Sequence, residues 1–263
     1  MEYLSETFKV ILVLLFTGVL MIVFFQLFKL YQSYREKKII ERVAQLMYTS
    51  YSMIHEDGFV LEPVDATRFK TIDLKFVNSV SANLTQLNFF LAGDFNLAKT
   101  DNSKVNFPVF YRLLFHTSGT MSASIYHSKS NAALHKVVEF TTEFRGGPMF
   151  ITSNSTLIAK LNYPEAILFE YQNAHTLPDL LNHHRNRIEQ FKAASAKEIE
   201  KIHTEEDYKK HYRRKTLIEK QFRGNMLKED MVDELRRLFF KIKKEQVLQK
   251  IADRIIELRS VSK

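Results

Sequence analysis

FPVFYRLLFHTSGTMSASIYHSK, residues 107–129, and KVVEFTTEFRGGPMFITSNS, residues 136–155, decide the fold. Both are built from short β-branched and aromatic runs, punctuated by Ser118-Gly119 and by Gly146-Gly147-Pro148, where only turns fit. Within the second, Val137, Glu139, Thr141 and Glu143 alternate with Val138, Phe140, Thr142 and Phe144, the period of a strand with one wetter and one covered face. Ser128 to Asn131 and Tyr163-Pro164 supply further breaks, and EAILFEYQN follows at 165–173. The reading is an α+β domain at 59–194 whose antiparallel sheet has about five strands.

Helices are expected on either side of that sheet. Asp73 to Phe90 carries Leu74, Val77, Val80, Leu84 and Leu87 on one face, with Gly93-Asp94 as a turn or strand start behind it. Leu177 to Ala194 is the second cover, so the sheet is bounded by helical segments that hide its drier face.

The N-terminal end has a different texture. After a flank at 1–9, VILVLLFTGVLMIVFFQLF at 10–28 has no charge, and only Thr17 and Gln26 carry polar side chains. At about 1.5 Å per residue this run reaches roughly 28 Å, the thickness of a bilayer's hydrocarbon core. A transmembrane helix is expected here, with the lipid bilayer as its partner. A cleaved signal peptide fits less well, because MEYLSETFK is not clearly basic and no small-residue cleavage site follows. Lys29, Arg35, Lys37 and Lys38 follow the run while Lys9 alone precedes it, which places most of the chain in the cytoplasm by the positive-inside rule. A juxtamembrane helix is expected at 29–58, with Ile39, Ile40, Val43, Leu46 and Met47 on one face and Gly58 just past its end.

The chain has 45% hydrophobic and 26% charged residues, the balance of a folded protein. It has no cysteine, which excludes disulfides, thiolate metal sites and cysteine nucleophiles together. Its net charge is +8, and most of the excess lies in a basic helical region at 195–263, densest at Tyr208-Lys-Lys-His-Tyr-Arg-Arg-Lys215. Met231, Leu235, Leu238 and Ile242 form one apolar stripe and Leu248, Ile251, Ile255 and Leu258 another, broken at Glu245, as expected of two short helices. Packing on the domain or on a protein partner, a second copy included, competes with membrane-surface contact through Lys209, Lys210, Arg213, Arg214 and Lys215. Interleaved acids weigh against a nucleic-acid groove.

Phosphate-loop, dinucleotide, nucleophile-elbow and zinc-protease signatures are absent, and no cofactor or metal site is expected. His183 and His184 point about 100° apart on a helix and cannot share one ion from one face. His116, His127 and His135 fall on neighbouring strands without a carboxylate motif. If a pocket exists between sheet and helices, the residues to line it are Asp94, His116, His127 and Glu143, although a turn aspartate and a wet-face glutamate explain two of them without chemistry.

LAGDFNL (91–97), YRLLFHTSGTMSASIY (111–126) and EFTTEFRGGPMFITSN (139–154) together resemble a pattern in bacterial membrane-anchored proteins that have no assigned activity. The resemblance covers about a third of the chain and implies the fold; it implies no catalytic residues. The expected function is a membrane-anchored interaction or adaptor domain without catalysis, the alternative being a tethered small-ligand binder or enzyme using a sheet–helix pocket.

Overall fold

The structure is a computed structural model that describes residues 2–55, 59–69, 72–99, 110–129 and 134–261. It divides into two compact units, 1–49 with 241–263, and 50–240.

The larger unit is an α+β fold around one open sheet of seven strands in sequential order: β1 (Phe59–Pro63), β2 (Phe89–Lys99), β3 (Phe110–His116), β4 (Ser122–Lys129), β5 (Leu134–Glu143), β6 (Met149–Ser153) and β7 (Ile167–Tyr171). The expected count of five is corrected to seven. β2 was hidden because Gly93-Asp94 reads as a turn; in the structure a bulge between Leu91 and Gly93 absorbs the irregularity and the strand continues. β1 pairs with β2 and ends at Pro63, an edge position where a missing N–H does no harm. The sheet is also not antiparallel throughout. β7 runs parallel to β6, because the chain crosses over between them instead of turning back in a tight hairpin.

Helix α2 (Leu74–Gln86) starts where Asp73 accepts the Phe76 N–H and stops at Asn88, whose φ of 68° ends the helix before β2. Helix α3 covers Leu177–Ala194, as its spacing predicts, with Thr176 as N-cap. Both lie on one face of the sheet. Val77 and Leu84 of α2 and Leu180 and Leu181 of α3 share a core with Phe89, Leu114, Ala123, Ile125, Val138 and Phe140. The other face is covered by α4 (Glu205–Asn225), followed by α5 (Lys228–Leu238). The basic segment therefore enters the domain through α4 and α5.

The smaller unit contains most of α1 (Glu2–His55) and all of α6 (Glu245–Val261). α6 buries Val247, Leu248, Ile251, Ala252 and Ile255, and α1 buries Ala44 and Met47. Lys250 bonds Glu36 at 2.8 Å and Arg254 bonds Glu41 through two 3.0 Å contacts, fixing one helix on the other. Among the described residues no helix is long and apolar enough to cross a membrane. The apolar run 10–28 falls partly outside them: the side chains of 10–19 are not described, and the remaining nine residues span only about 13 Å.

Candidate functional site

On α4, residues three and four apart recur on one side: Tyr208, His211, Tyr212, Lys215, Ile218 and Glu219. The helix is positioned by a capping box in which Thr204 and Asp207 satisfy each other's backbone N–H groups. The strand faces beneath it present Tyr111, Ser124, Tyr126, Glu139, Thr141 and Glu143. This sheet–helix interface is polar at its centre and apolar at its ends: Leu113, Phe115 and Tyr208 pack on one side, Met149, Ile151, Ile167 and Ile218 on the other.

Glu139 holds the middle. Tyr126 Oη donates to its Oε2 at 3.1 Å and Lys215 Nζ stands 3.6 Å from its Oε1. Burial by itself would neutralise Lys215, but the Glu139 and Glu219 carboxylates outweigh it and hold the ammonium well above its usual range. Burial, opposed by Lys215 and Arg223, raises the Glu219 carboxyl. The Tyr111, Tyr126 and Tyr212 phenols are pushed up chiefly by burial and remain protonated donors. The Tyr111 and Tyr126 rings pack at a tilt of 41° with centroids 4.8 Å apart.

Glu143, four residues further along the same face of β5, is 3% exposed. One oxygen meets His211 Nδ1 and the other meets the Arg214 guanidinium, which also donates to the Gly147 carbonyl at 3.2 Å. Burial, then the Lys215 cation, lowers His211 to about 3. The Glu139 carboxylate opposes that shift without overcoming it. A neutral ring beside a carboxylate donates from Nδ1, leaving Nε2 as an acceptor. Among the described residues no serine or threonine hydroxyl bonds that ring. Glu143, His211 and Arg214 line a cleft of about 270 Å³ together with Glu200, Lys201, Ile202, Asp207 and Lys210.

The four residues expected to share a pocket do not meet. Asp94 makes a bidentate pair with Arg112, both contacts 2.6 Å, beside Asn78 of α2. His116 bonds Ser118 at 2.7 Å in the β3–β4 turn, and His127 lies edge-on to Phe76. These three belong to the α2–α3 side; Glu143 alone faces α4. Nor do Lys209, Lys210, Arg213, Arg214 and Lys215 form one patch. Lys209 pairs with Glu205 at 2.6 Å, Arg214 reaches Glu143, Lys215 turns under the helix toward Glu139, and only Lys210 and Arg213 keep the outward aspect expected of all five. His184 is fully buried between Thr142 Oγ1 at 3.0 Å and Thr152 Oγ1 at 2.8 Å, while His183 bonds Glu170, so the adjacent histidines diverge as helix geometry requires. No group of three ligating side chains could hold a metal among the described residues, and the His135 side chain lies outside them.

Sequence reading missed Glu139, His211 and Lys215 as partners. Its signal was the 3–4 spacing of Tyr208, His211, Tyr212 and Lys215, a stripe of aromatic and polar residues inside what reads as a charge cluster. Set against family models, curated proteins and solved structures, the chain matches none.

Proposed function

We infer that the chain is a single-pass membrane protein, anchored by residues 10–28, whose α+β domain stands on the cytoplasmic side as a non-catalytic interaction or adaptor module. One observation carries this reading. Leu20, Met21, Ile22, Val23, Phe24, Phe25, Leu27 and Phe28 are consecutive or nearly so and 47–71% exposed, so residues 20–28 of α1 are oily on every side and no surface among the described residues covers them. A helix apolar all round is stable only inside a large core or in lipid. At the end of the run Lys29 lies over the Phe25 ring at 4.6 Å and Arg35 over Tyr31, so cations and aromatic rings meet where the apolar segment stops. The site supports the adaptor reading in that its charged groups are engaged within the domain, Glu139 with Lys215 and Glu143 with His211 and Arg214.

The absence of cysteine makes the test clean. In the full chain, Gln190→Cys on the exposed side of α3 is expected to stay unlabelled by a membrane-impermeant maleimide in intact cells and to label after lysis, with the protein retained in carbonate-washed membranes. Labelling of intact cells would reverse the orientation; release by carbonate would remove the anchor.

A second reading has its own observation, the cleft in which Lys210 and Arg214 flank Glu143 and His211. There the domain is a tethered binder of a small anionic ligand. Thermal-shift screening of such ligands against the wild type and Lys210→Gln decides it: a shift present only in the wild type favours this reading, and none at all eliminates it.

A further inference from the structure

Within the smaller unit, the ion pairs of Lys250 with Glu36 and of Arg254 with Glu41 advance together along both helices, so α6 runs parallel to α1. Its first residue, Glu245, lies five positions before Lys250, which sets the start of α6 about 7.5 Å toward the apolar run, level with Tyr31. The Glu36 carboxyl, held below its usual range first by the Lys250 hydrogen bond, is also lowered by the charge of Lys244, in keeping with that register.

The consequence is a collar of cations drawn from two distant parts of the sequence. Arg35, Lys37 and Lys38 come from α1, and Lys241, Lys243 and Lys244 come from the segment leading into α6; all six are exposed. Lys241 and Lys243, within three residues of Lys244, cannot stand more than about 10 Å from it. Of the acids nearby, Glu36 pairs with Lys250 and Glu41 with Arg254, and Glu245 adjoins Lys244, so the six cations exceed the acids around them. Tyr31 and Tyr34, 57% and 64% exposed, lie level with the collar, just past the oily stretch that ends at Phe28. An apolar run followed by tyrosines and an excess of cations is the succession a leaflet presents: hydrocarbon, then an interface of polar and phosphate groups.

We propose that this collar binds the headgroups of anionic phospholipids in the leaflet the domain faces, and that parallel docking of α6 on α1 delivers half of it. The proposal rests on the anchored reading above and adds a lipid class to it. Its recognition is that of phosphate by several lysines acting as point charges, which selects for net negative headgroups rather than for one headgroup's shape.

The full chain is reconstituted into vesicles of phosphatidylcholine and phosphatidylglycerol carrying trace spin-labelled lipid of either kind, and the motionally restricted fraction is read by electron paramagnetic resonance. Spin-labelled phosphatidylglycerol is expected to be enriched at the protein about three- to fivefold over phosphatidylcholine, falling to near parity in molar salt. Lys241→Gln/Lys243→Gln/Lys244→Gln should lose at least half of that enrichment, whereas the matching triple arginine variant should keep it. Equal association of both lipids with the wild type, or unchanged selectivity in the glutamine variant, overturns the collar. Vesicle flotation, measured on the same samples, separates the two ideas: a chain that does not float with lipid has lost the anchor itself.

Discussion

Arg223 Nη1 donates to Glu234 Oε2 at 2.5 Å where Glu234 is wholly buried, tying the end of α4 to the middle of α5. The same guanidinium donates to the Asn162 carbonyl at 2.6 Å, and Glu234 accepts the Asn162 N–H, so three segments meet on one ion pair. Removing one partner strands a charge. Arg223→Ala should destabilise the detergent-solubilised chain by about 3–5 kcal/mol, and Arg223→Met/Glu234→Leu by much less, because no unpaired charge is left. Denaturant unfolding followed by circular dichroism measures both; equal losses would mean the pair acts only through packing.

Lys215 and Glu139 make the same argument on the sheet. Lys215→Met should cost about 2–4 kcal/mol, since Tyr126 alone then faces the carboxylate, and adding Glu139→Gln should restore more than half. The four-corner cycle reads the coupling directly. Additive losses would show that the two side chains do not interact.

His184 supplies a pH dependence. Burial, then the Arg187 cation, depresses it to about 3 against 6.5 in an unfolded chain. Between those values the unfolded state binds the proton that the folded state refuses, so stability is complete above pH 6.5 and declines as pH falls toward 3. The slope from this residue approaches about 1.4 kcal/mol per pH unit. Unfolding free energies at pH 7, 6 and 5 should show a gentler decline for His184→Gln than for the wild type; parallel curves would place the proton uptake elsewhere.

Gly119 turns the β3–β4 connection with φ of 68°, and a Cβ there would stand 2.2 Å from the His203 ring. Its carbonyl accepts the Ile202 N–H at 2.8 Å, so the turn also anchors the strap between α3 and α4. Gly119→Ala should lower stability by about 1–2 kcal/mol, mostly from backbone strain, since the exposed His203 ring can swing away from the new methyl. Adding His203→Ala should recover the clash but not the strain, leaving roughly 1 kcal/mol. Thermal melts of the three variants against the wild type check the order.

Much of the domain is written locally. Thr176 with Leu177-Pro178 starts α3, Asp73 starts α2, and the alternation from Val137 to Phe144 marks the two faces of β5, because caps and periods depend on neighbours in the chain. β2 was less legible, since a bulge and a turn look alike until a partner strand accepts the extra residue. The candidate site was legible only in part. Glu143 stood out as a carboxylate among hydroxyls, but His211 and Arg214, 68 and 71 positions away, gave no sign of being its partners.

Sequence by itself determined the oily run at 10–28, the strand-rich centre, the helical covers and the break before α6, all properties of residues a few positions apart. Tertiary structure decided which face each charged side chain took. Lys209 to Lys215 reads as one basic block, yet a helix turns 100° per residue, and that rotation sends Lys215 to Glu139 and Arg214 to Glu143 while Lys209 pairs along the surface with Glu205. Only the sheet beneath α4, assembled from strands scattered over a hundred residues, supplies the carboxylates that make this rotation matter.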